Sequence, residues 1–490
     1  MTNELMTVDA IIAAHPPTST AIVDAAGSLT YGELDDLVAT TAGGLVARIG
    51  TGESRVVVLA RTERDGVVGL LAAHRAGFSA CLFDPRQTPT EHAGWLDLAK
   101  PDVILVGRES IEAATALGDV EQMIMGVAGS DVDVELCIGD AVPPAERSPS
   151  APAVAVATSG VTGNPHLVDL SHGVLATIQR GLLEAHGGRI DESSVLLAVL
   201  PIAHILGLNS GVLGHLRAGA TVVLMSRFEE QQAADLVEHH GVTSLIAVPP
   251  MWQRWVDLNI PAEKFASVTV GRSGASSLHP SLAVAVHERL GVELMQGYGL
   301  SETAGTICLE PNAKGRPGSV GRPIPGVELR LFEGSEEVEP GDRGEVWVRG
   351  AVMDRYIGDP AATDDVLTAG GWFRTGDVGV LDDDGSLYLL GRLKDLIIVS
   401  GFNVFPAEVE HALETHPQIA NALVVGEQDA ASGERVVAYV TSIEGAKVTA
   451  DDVASHCRGR LSRYKHPKEV YVVDRLPIIE SGKRVRAAVR

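Results

Sequence analysis

The sequence predicts an α/β protein with a large N-terminal domain of layered α/β sheets, a small β-barrel-like subdomain, and a separate α+β C-terminal domain. Three observations carry this expectation. The chain has 490 residues, more than one hydrophobic core usually serves, so at least two domains follow. From about residue 54 to 302, short Val/Leu/Ile-rich runs alternate with segments of helix length, as strands buried on both faces and covered by helices must read. After Gly318 the texture turns to short alternating strands and tight turns, and from Asp395 it changes once more.

Taken in order, the apolar runs are 55–60, 81–84, 103–106, 153–158, 195–200, 221–225, 244–248 and 292–295. Apolar residues on consecutive positions mark strands without a solvent face. Between them, 65–77 and 229–240 have the length of helices. In the second texture 327–332, 345–348 and 378–381 read as strands, and Asp383-Asp384-Gly385 as a hairpin turn before 387–390. In the third, Pro406 opens a helix running to about Thr415. Strands at 422–426 and 436–441, a helix at 451–461 and a strand at 470–473 complete it. The predicted large domain spans 1–393, with the barrel-like part at about 319–393, and the small domain spans 394–490.

Composition narrows the function. Lys+Arg 39 against Asp+Glu 64 give a net charge of −25, whereas binding a nucleic-acid strand rests on clustered cations, so nucleic acid is excluded as a partner. The 13 basic and 13 acidic residues from Leu393 onward cancel, leaving 26 against 51 and the whole −25 on the preceding part. The C-terminal part also holds five of the eight lysines, while none lies between Lys100 and Lys264. A hydrophobic content of 45% argues against disorder. Cys81, Cys137, Cys308 and Cys457 lie too far apart for a close metal pair or a disulfide ladder. The N-terminus lacks a signal-peptide pattern. The most apolar stretch, 195–216, is interrupted by Pro201, His204, Asn209 and His215, which a bilayer would penalise heavily. A cytoplasmic protein without a transmembrane segment is expected.

Five segments carry chemistry. Ala157-Thr158-Ser159-Gly160-Val161-Thr162-Gly163-Asn164-Pro165 follows the run 153–156. Small residues let backbone N–H groups approach an anion, and the hydroxyls add donors. No Lys-Ser follows and a strand resumes at 167–170, so this is neither a Walker loop nor a dinucleotide fingerprint, and a plain surface turn fits as well. The segment Gln296-Gly-Tyr-Gly-Leu-Ser-Glu-Thr303 places the carboxylate of Glu302 beside a hydroxyl and glycines, which suits Mg²⁺ held jointly with substrate phosphates. Tyr298 offers a flat face to a base. The plainer alternative is a strand-to-loop junction with a solvated glutamate. Phe373-Arg-Thr-Gly-Asp377 brings a carboxylate suited to ribose hydroxyls, Lys394-Asp395 falls where the texture changes, and Lys483 sits on a Gly-containing loop near the end.

Together, in this order and spacing, these segments resemble the acyl-adenylate-forming superfamily, which includes AMP-dependent acyl-CoA synthetases and ligases, adenylation domains and luciferases. The chain looks closest to the acyl- and aryl-CoA ligases. The resemblance runs from about Ala26, where Leu29-Thr-Tyr-Gly-Glu-Leu34 matches the usual opening, to the C-terminus. It implies ATP-dependent activation of a carboxylic acid to acyl-AMP with release of pyrophosphate. Thioester formation with CoA then follows, as a mobile C-terminal domain turns about a hinge at Lys394. The implied cofactors are ATP, Mg²⁺ and CoA, or the phosphopantetheine of an acyl carrier protein loaded in trans. A non-catalytic acyl-adenylate-binding relative is a further alternative, and a homo-oligomer is left open.

Residue by residue, the resemblance gives Thr158, Ser159, Gly160, Thr162 and Gly163 to the β and γ phosphates. Gly274, Ala275 and Ser276 line the adenine and acyl pockets, and Gln296, Gly297, Tyr298 and Gly299 hold the adenine and border the acid. Ser301 touches the α-phosphate and Glu302 the metal. Asp377 and Arg392 bind the ribose, with Asn403 also on the nucleotide. Lys483 bridges the carboxylate and the α-phosphate, and Ser400 and Gly401 guide the pantetheine arm. His204, Leu208 and Val248 wall the acid pocket, with His204 either a gate or a packed core histidine. Between Ser194 and Phe228 there is no Asp or Glu, where amino-acid-activating relatives place a carboxylate for the substrate ammonium. The expected acid is therefore hydrophobic, acyl or aryl, without a free α-amine. The chain departs from the pattern at Val161, usually Thr, at His166-Leu167, usually Lys-Gly, and at Ile398 and Ser400, lysines in some aryl-CoA ligases. A neutral imidazole supplies less charge than an ammonium, so weaker handling of ATP or pyrophosphate is expected.

Overall fold

The computed structural model describes residues 7–115, 117, 122–124, 137–158, 166–312, 314–429, 431–443, 445–477, 486 and 489. Its contacts divide the chain into two compact units, 1–328 with 348–373, and 329–347 with 374–490.

The first unit contains two sheets. In one, the spatial order is Arg355–Tyr356, Leu167–Ser171, Pro152–Ala157, Ser79–Phe83, Arg55–Leu59, Val103–Val106, Gln122–Ile124. The central strands are parallel. Val56 to Leu59 and Val103 to Val106 are buried on both faces, which explains their unbroken apolar runs. Pro152–Ala157 and Leu167–Ser171 form an antiparallel hairpin around the predicted phosphate loop, and Arg355–Tyr356 adds antiparallel at its edge.

The second sheet of this unit runs Gly27–Thr30, Thr20–Asp24, Thr221–Leu224, Val195–Ala198, Ser244–Ala247, Val270–Ser273, Leu294–Leu300, Gly305–Glu310, Ser319–Pro323. It is parallel through the middle and antiparallel at both margins. The Leu29–Leu34 motif has a structural task here, because it starts the helix Tyr31–Ile49 with a reciprocal cap. Thr30 Oγ1 accepts from the Glu33 amide at 3.2 Å and the Glu33 carboxylate accepts from the Thr30 amide at 2.8 Å. The Tyr31 hydroxyl then donates to the Ala220 carbonyl at 2.9 Å, anchoring the helix to the sheet.

In the second unit Phe373–Leu381 pairs antiparallel with Leu387–Arg392 through the predicted Asp-Asp-Gly turn. Further along, Ile419–Asp429 and Gly433–Ser442 pair antiparallel, and Glu469–Val472 adds parallel to the latter. The helix Pro406–Glu414 covers one face, with Val409 and Leu413 packed on Val424 and Ala438. The predicted runs thus fall on strands to within a few residues. Two expectations need correction. The helix predicted over 451–461 stops at Cys457, because Arg458 is extended and Gly459 turns back with a φ of +116°. The Gln296–Leu300 stretch is no loop junction but the continuation of a strand, Leu294–Leu300. All four cysteines are buried, and among the described residues no disulfide joins them. Among the described residues no helix is long and apolar enough to cross a membrane.

Candidate active site

The glycines of the second motif let two backbones approach. Leu294–Leu300 pairs with Gly305–Glu310, with an irregularity between Tyr298 and Gly299. A Cβ at Gly299 would stand 1.8 Å from the Gly305 carbonyl oxygen, and one at Gly297 would press on Thr306 at 3.0 Å. Gln296 and Tyr298 are buried in this strand. It ends in the single turn Ser301–Thr303, where the Thr303 hydroxyl accepts from the Leu300 amide at 3.0 Å. Ala304 then takes a left-handed φ of 53°. Ala275 and Ser400, in two other predicted site segments, also have positive φ, at 67° and 51°. Only tertiary contacts hold non-glycine residues there, a form of strain that gathers at functional sites.

Glu302, half-buried in that turn, is held from two sides. The Tyr356 hydroxyl donates to its Oε1 at 2.9 Å, and the Met353 amide donates to its carbonyl at 2.7 Å. Among the described residues its other carboxylate oxygen has no hydrogen-bond partner, so the group suits a hard cation bound by one oxygen. His166 stacks on the same Tyr356, and its Nδ1 stands 3.7 Å from Asp359 Oδ2. Thr158 closes the neck of the phosphate loop, its amide donating to the His166 carbonyl at 2.8 Å and its hydroxyl accepting from the His166 amide at 2.9 Å. The sequence reading missed Tyr356, since a tyrosine 54 residues away carries no local signal.

Of the predicted acid wall, Leu208 lies on an eight-residue helix of π type, Leu206–Leu213, His204 stands just before it and Val248 caps the helix Pro249–Asp257; such widened turns recur at functional sites. Leu208 and Val248 are buried. The Leu206 side chain would stand 3.1 Å from a Cβ at Gly274, so only glycine fits there without displacement. His204 is exposed, which corrects the packed-core alternative. Pro201 turns the chain so that the His204 amide bonds its carbonyl at 3.1 Å, leaving the ring outside the buried helix. The helix is pinned by Asn209, which accepts from Gln179 at 2.7 Å and donates to the Ala304 carbonyl at 2.8 Å.

Beneath this helix lies Arg272, 2% exposed. One of its nitrogens donates to Thr306 Oγ1 at 2.8 Å, but Nε and Nη1 have no partner. Among the described residues no carboxylate pairs with it, and burial alone pushes the guanidinium down to about 10. The nearby His186 and His215 are pushed to about 3 and 4, first by burial, with Arg272 adding to it.

In the second unit Asp377, buried, pairs with Arg392 at 2.9 Å across the two strands that carry them. Glu345 supports this pair's turn, accepting from the Gly376 amide at 3.1 Å and the Trp347 indole at 2.8 Å. Lys394 lies exposed in the turn Leu393–Asp395. Ser400, Gly401 and Asn403 are exposed on the hairpin formed by Ile397–Val399 and Phe402–Val404. Ser159, Gly160, Thr162, Gly163 and Lys483 lie outside the described residues.

The profile of the AMP-binding enzyme family matches residues 10–357, and that of its C-terminal domain matches 408–483. The chain belongs to the AMP-binding enzyme family. Within the family it is 34% identical to the indoleacetate–CoA ligase of Aromatoleum aromaticum over 493 residues, covering 97% of this chain and 95% of that one. Its fold matches ATP-bound MatB of Rhodopseudomonas palustris with a TM-score of 0.90 at 28% identity, over 99% and 98% of the two chains. It also matches the o-succinylbenzoate CoA synthetase of Bacillus subtilis in complex with its acyl-adenylate intermediate, with a TM-score of 0.86 at 27% identity over 99% and 98%. The large N-terminal and smaller C-terminal parts expected from the sequence are those of this family.

Proposed function

We propose that this enzyme is an AMP-forming acid–thiol ligase that joins CoA to a largely apolar, aryl or bulky acyl acid carrying a hydrogen-bond acceptor at its far end. The acid carboxylate attacks the α-phosphorus of ATP, pyrophosphate leaves, and the thiol then displaces AMP from the acyl adenylate. The first step forces two anions together. Mg²⁺, when bound, offsets that charge on the phosphates, and Glu302 would hold it. Lys483 is the cation for the carboxylate and α-phosphate, Ser301 a donor to that phosphate, and Asp377 with Arg392 the ribose grip. Thr158 with Ser159, Gly160, Thr162 and Gly163 cradles the outer phosphates. Lys394 serves as the hinge between half-reactions, with Ser400 and Gly401 serving the thiol arm.

Arg272 carries the assignment of the acid. A buried guanidinium with two unpaired nitrogens is costly unless a ligand satisfies it. Its charge repels an ammonium, in accord with the lack of any Asp or Glu between Ser194 and Phe228. A carboxylate, hydroxyl or carbonyl oxygen on the acid would complete its bonds, while Leu208 and Val248 supply the apolar wall. The test is pyrophosphate release across a panel of acids with and without a distal oxygen, in wild type and Arg272→Met. A preference of ~10–100-fold for oxygen-bearing acids that disappears in the variant supports the assignment; an unchanged ranking overturns it. Lys483→Ala must abolish release for every acid, and offering the adenylate to CoA and to carrier proteins decides the thiol.

A further inference from the structure

We propose that Tyr356 is a positioning residue for the metal-binding carboxylate, and that it ties Glu302 to the phosphate-loop hairpin. The proposal rests on the reading of Glu302 as the Mg²⁺ ligand. Tyr356 is 7% exposed, so its hydroxyl has little access to water and needs a protein partner. That partner is Glu302 Oε1, at 2.9 Å.

The same short segment grips Glu302 a second time through its backbone, the Met353 amide donating to the Glu302 carbonyl. It is in turn laid onto the hairpin strand Leu167–Ser171. Tyr356 stands in register with Val168 and Arg355 with Asp169. The Asp354 amide bonds the Asp169 carbonyl at 2.9 Å and the Ile357 amide the Leu167 carbonyl at 2.8 Å. Arg355 further pairs with the buried Asp169 at 2.9 Å. Residues 353–357 therefore form a strap whose one side holds Glu302 and whose other side holds the strand leaving the phosphate loop.

The chemistry of the tyrosine suits this task. A lysine or arginine would fix the carboxylate equally well but would cancel the charge that a cation needs. A neutral phenol orients one oxygen and leaves the charge, with the second oxygen, for the metal. Hydrogen-bond partners of metal ligands commonly govern metal affinity ~10–100-fold.

The experiment uses Mn²⁺ in place of Mg²⁺, titrated against the full-length enzyme with α,β-methylene ATP, and reads free Mn²⁺ by electron paramagnetic resonance. Three proteins are compared: wild type, Tyr356→Phe and Glu302→Gln. Tyr356→Phe keeps the ring under His166 and removes only the donor. It is expected to weaken Mn²⁺ binding ~10-fold, with the KM for the acid and the affinity for metal-free nucleotide unchanged. If Glu302→Gln weakens Mn²⁺ and Tyr356→Phe does not, the positioning role is overturned while the metal site stands. If Glu302→Gln leaves Mn²⁺ binding intact, the reading of Glu302 itself fails. Equal loss of Mn²⁺ and metal-free nucleotide affinity in Tyr356→Phe denotes general disruption and also overturns the proposal.

Discussion

The imidazole of His166 lies over the phenol ring of Tyr356, with ring centroids 4.3 Å apart and planes 25° from parallel. His166 is thus used as a stacking wall on the tyrosine that bonds Glu302. Such ring pairs contribute ~0.5–1.5 kcal/mol beyond their buried area. His166→Lys should therefore have two opposed effects. The added ammonium should lower the KM for ATP ~10-fold, a typical return for a charged hydrogen bond to phosphate, while unfolding stability falls by ~1 kcal/mol as the stack is lost. Measuring both in one preparation separates them, and an unchanged KM would sink the phosphate assignment.

Gly299 and Gly94 should respond in opposite directions to alanine. At Gly299 the new methyl would meet the Gly305 carbonyl at 1.8 Å, whereas at Gly94, inside the helix Pro89–Ala99, nothing lies within 4 Å. Gly94→Ala should stabilise by ~0.5–1 kcal/mol through helix propensity. Gly299→Ala should cost ~3 kcal/mol or more by forcing two strands apart and should shift the Ser301–Thr303 turn that carries Glu302. Chemical denaturation of the two variants against wild type reads both signs. A tolerated alanine at Gly299 would mean that the strands are not so closely apposed.

Glu345 should matter to nucleotide binding without touching nucleotide. It is buried and accepts from the Gly376 amide and the Trp347 indole, next to the turn that presents Asp377. Glu345→Ala leaves the Gly376 amide and the Trp347 indole unpaired, at ~1–3 kcal/mol each, and also removes a partner of the exposed Arg374. The expected outcome is a lower denaturation midpoint with a raised KM for ATP and an unchanged KM for the acid. An equal rise in both KM values would refute the specific link to Asp377.

Stability should carry a signature from Glu63. Burial first, then the neighbouring Glu109 and Asp65, pushes its carboxyl up to about 7 from 4.5. Between those values the folded protein holds a proton that the unfolded chain has released, so stability falls as pH rises. The contribution is complete below about 4.5 and exhausted above about 7. Glu63→Gln, neutral throughout, should match wild type at pH ~4 and be the more stable at pH ~8. A difference between the two that does not vary with pH would contradict this.

Much of this was legible in one dimension. The runs 55–60, 103–106 and 244–248 predicted strands because their side chains fill both faces of a sheet, a condition written in consecutive residues. The motif residues Glu302, Asp377 and Arg392 were reached through the order and spacing of the motifs and the resemblance these carry, and the hairpin turn Asp383-Asp384-Gly385 is itself local chemistry. That Asp377 and Arg392 pair with each other came instead from the register of the two strands. The Gln296–Leu300 stretch was misread, because its glycines look like a loop until the partner strand that needs them is known. His204 was ambiguous because burial of one ring depends on where Pro201 turns the chain.

By itself, then, the sequence determined the α/β class, the element order, the family resemblance and the candidate chemistry, since periodicity, turn residues and motif spacing are properties of contiguous chain. Only the tertiary structure decided what those residues touch. It set Tyr356 on Glu302, left two nitrogens of Arg272 without a partner below the Leu206–Leu213 helix, and joined Asn209 to the Ala304 carbonyl. Each of these depends on how segments tens of residues apart come into register, and register is settled by packing whole faces against one another, not by any local preference.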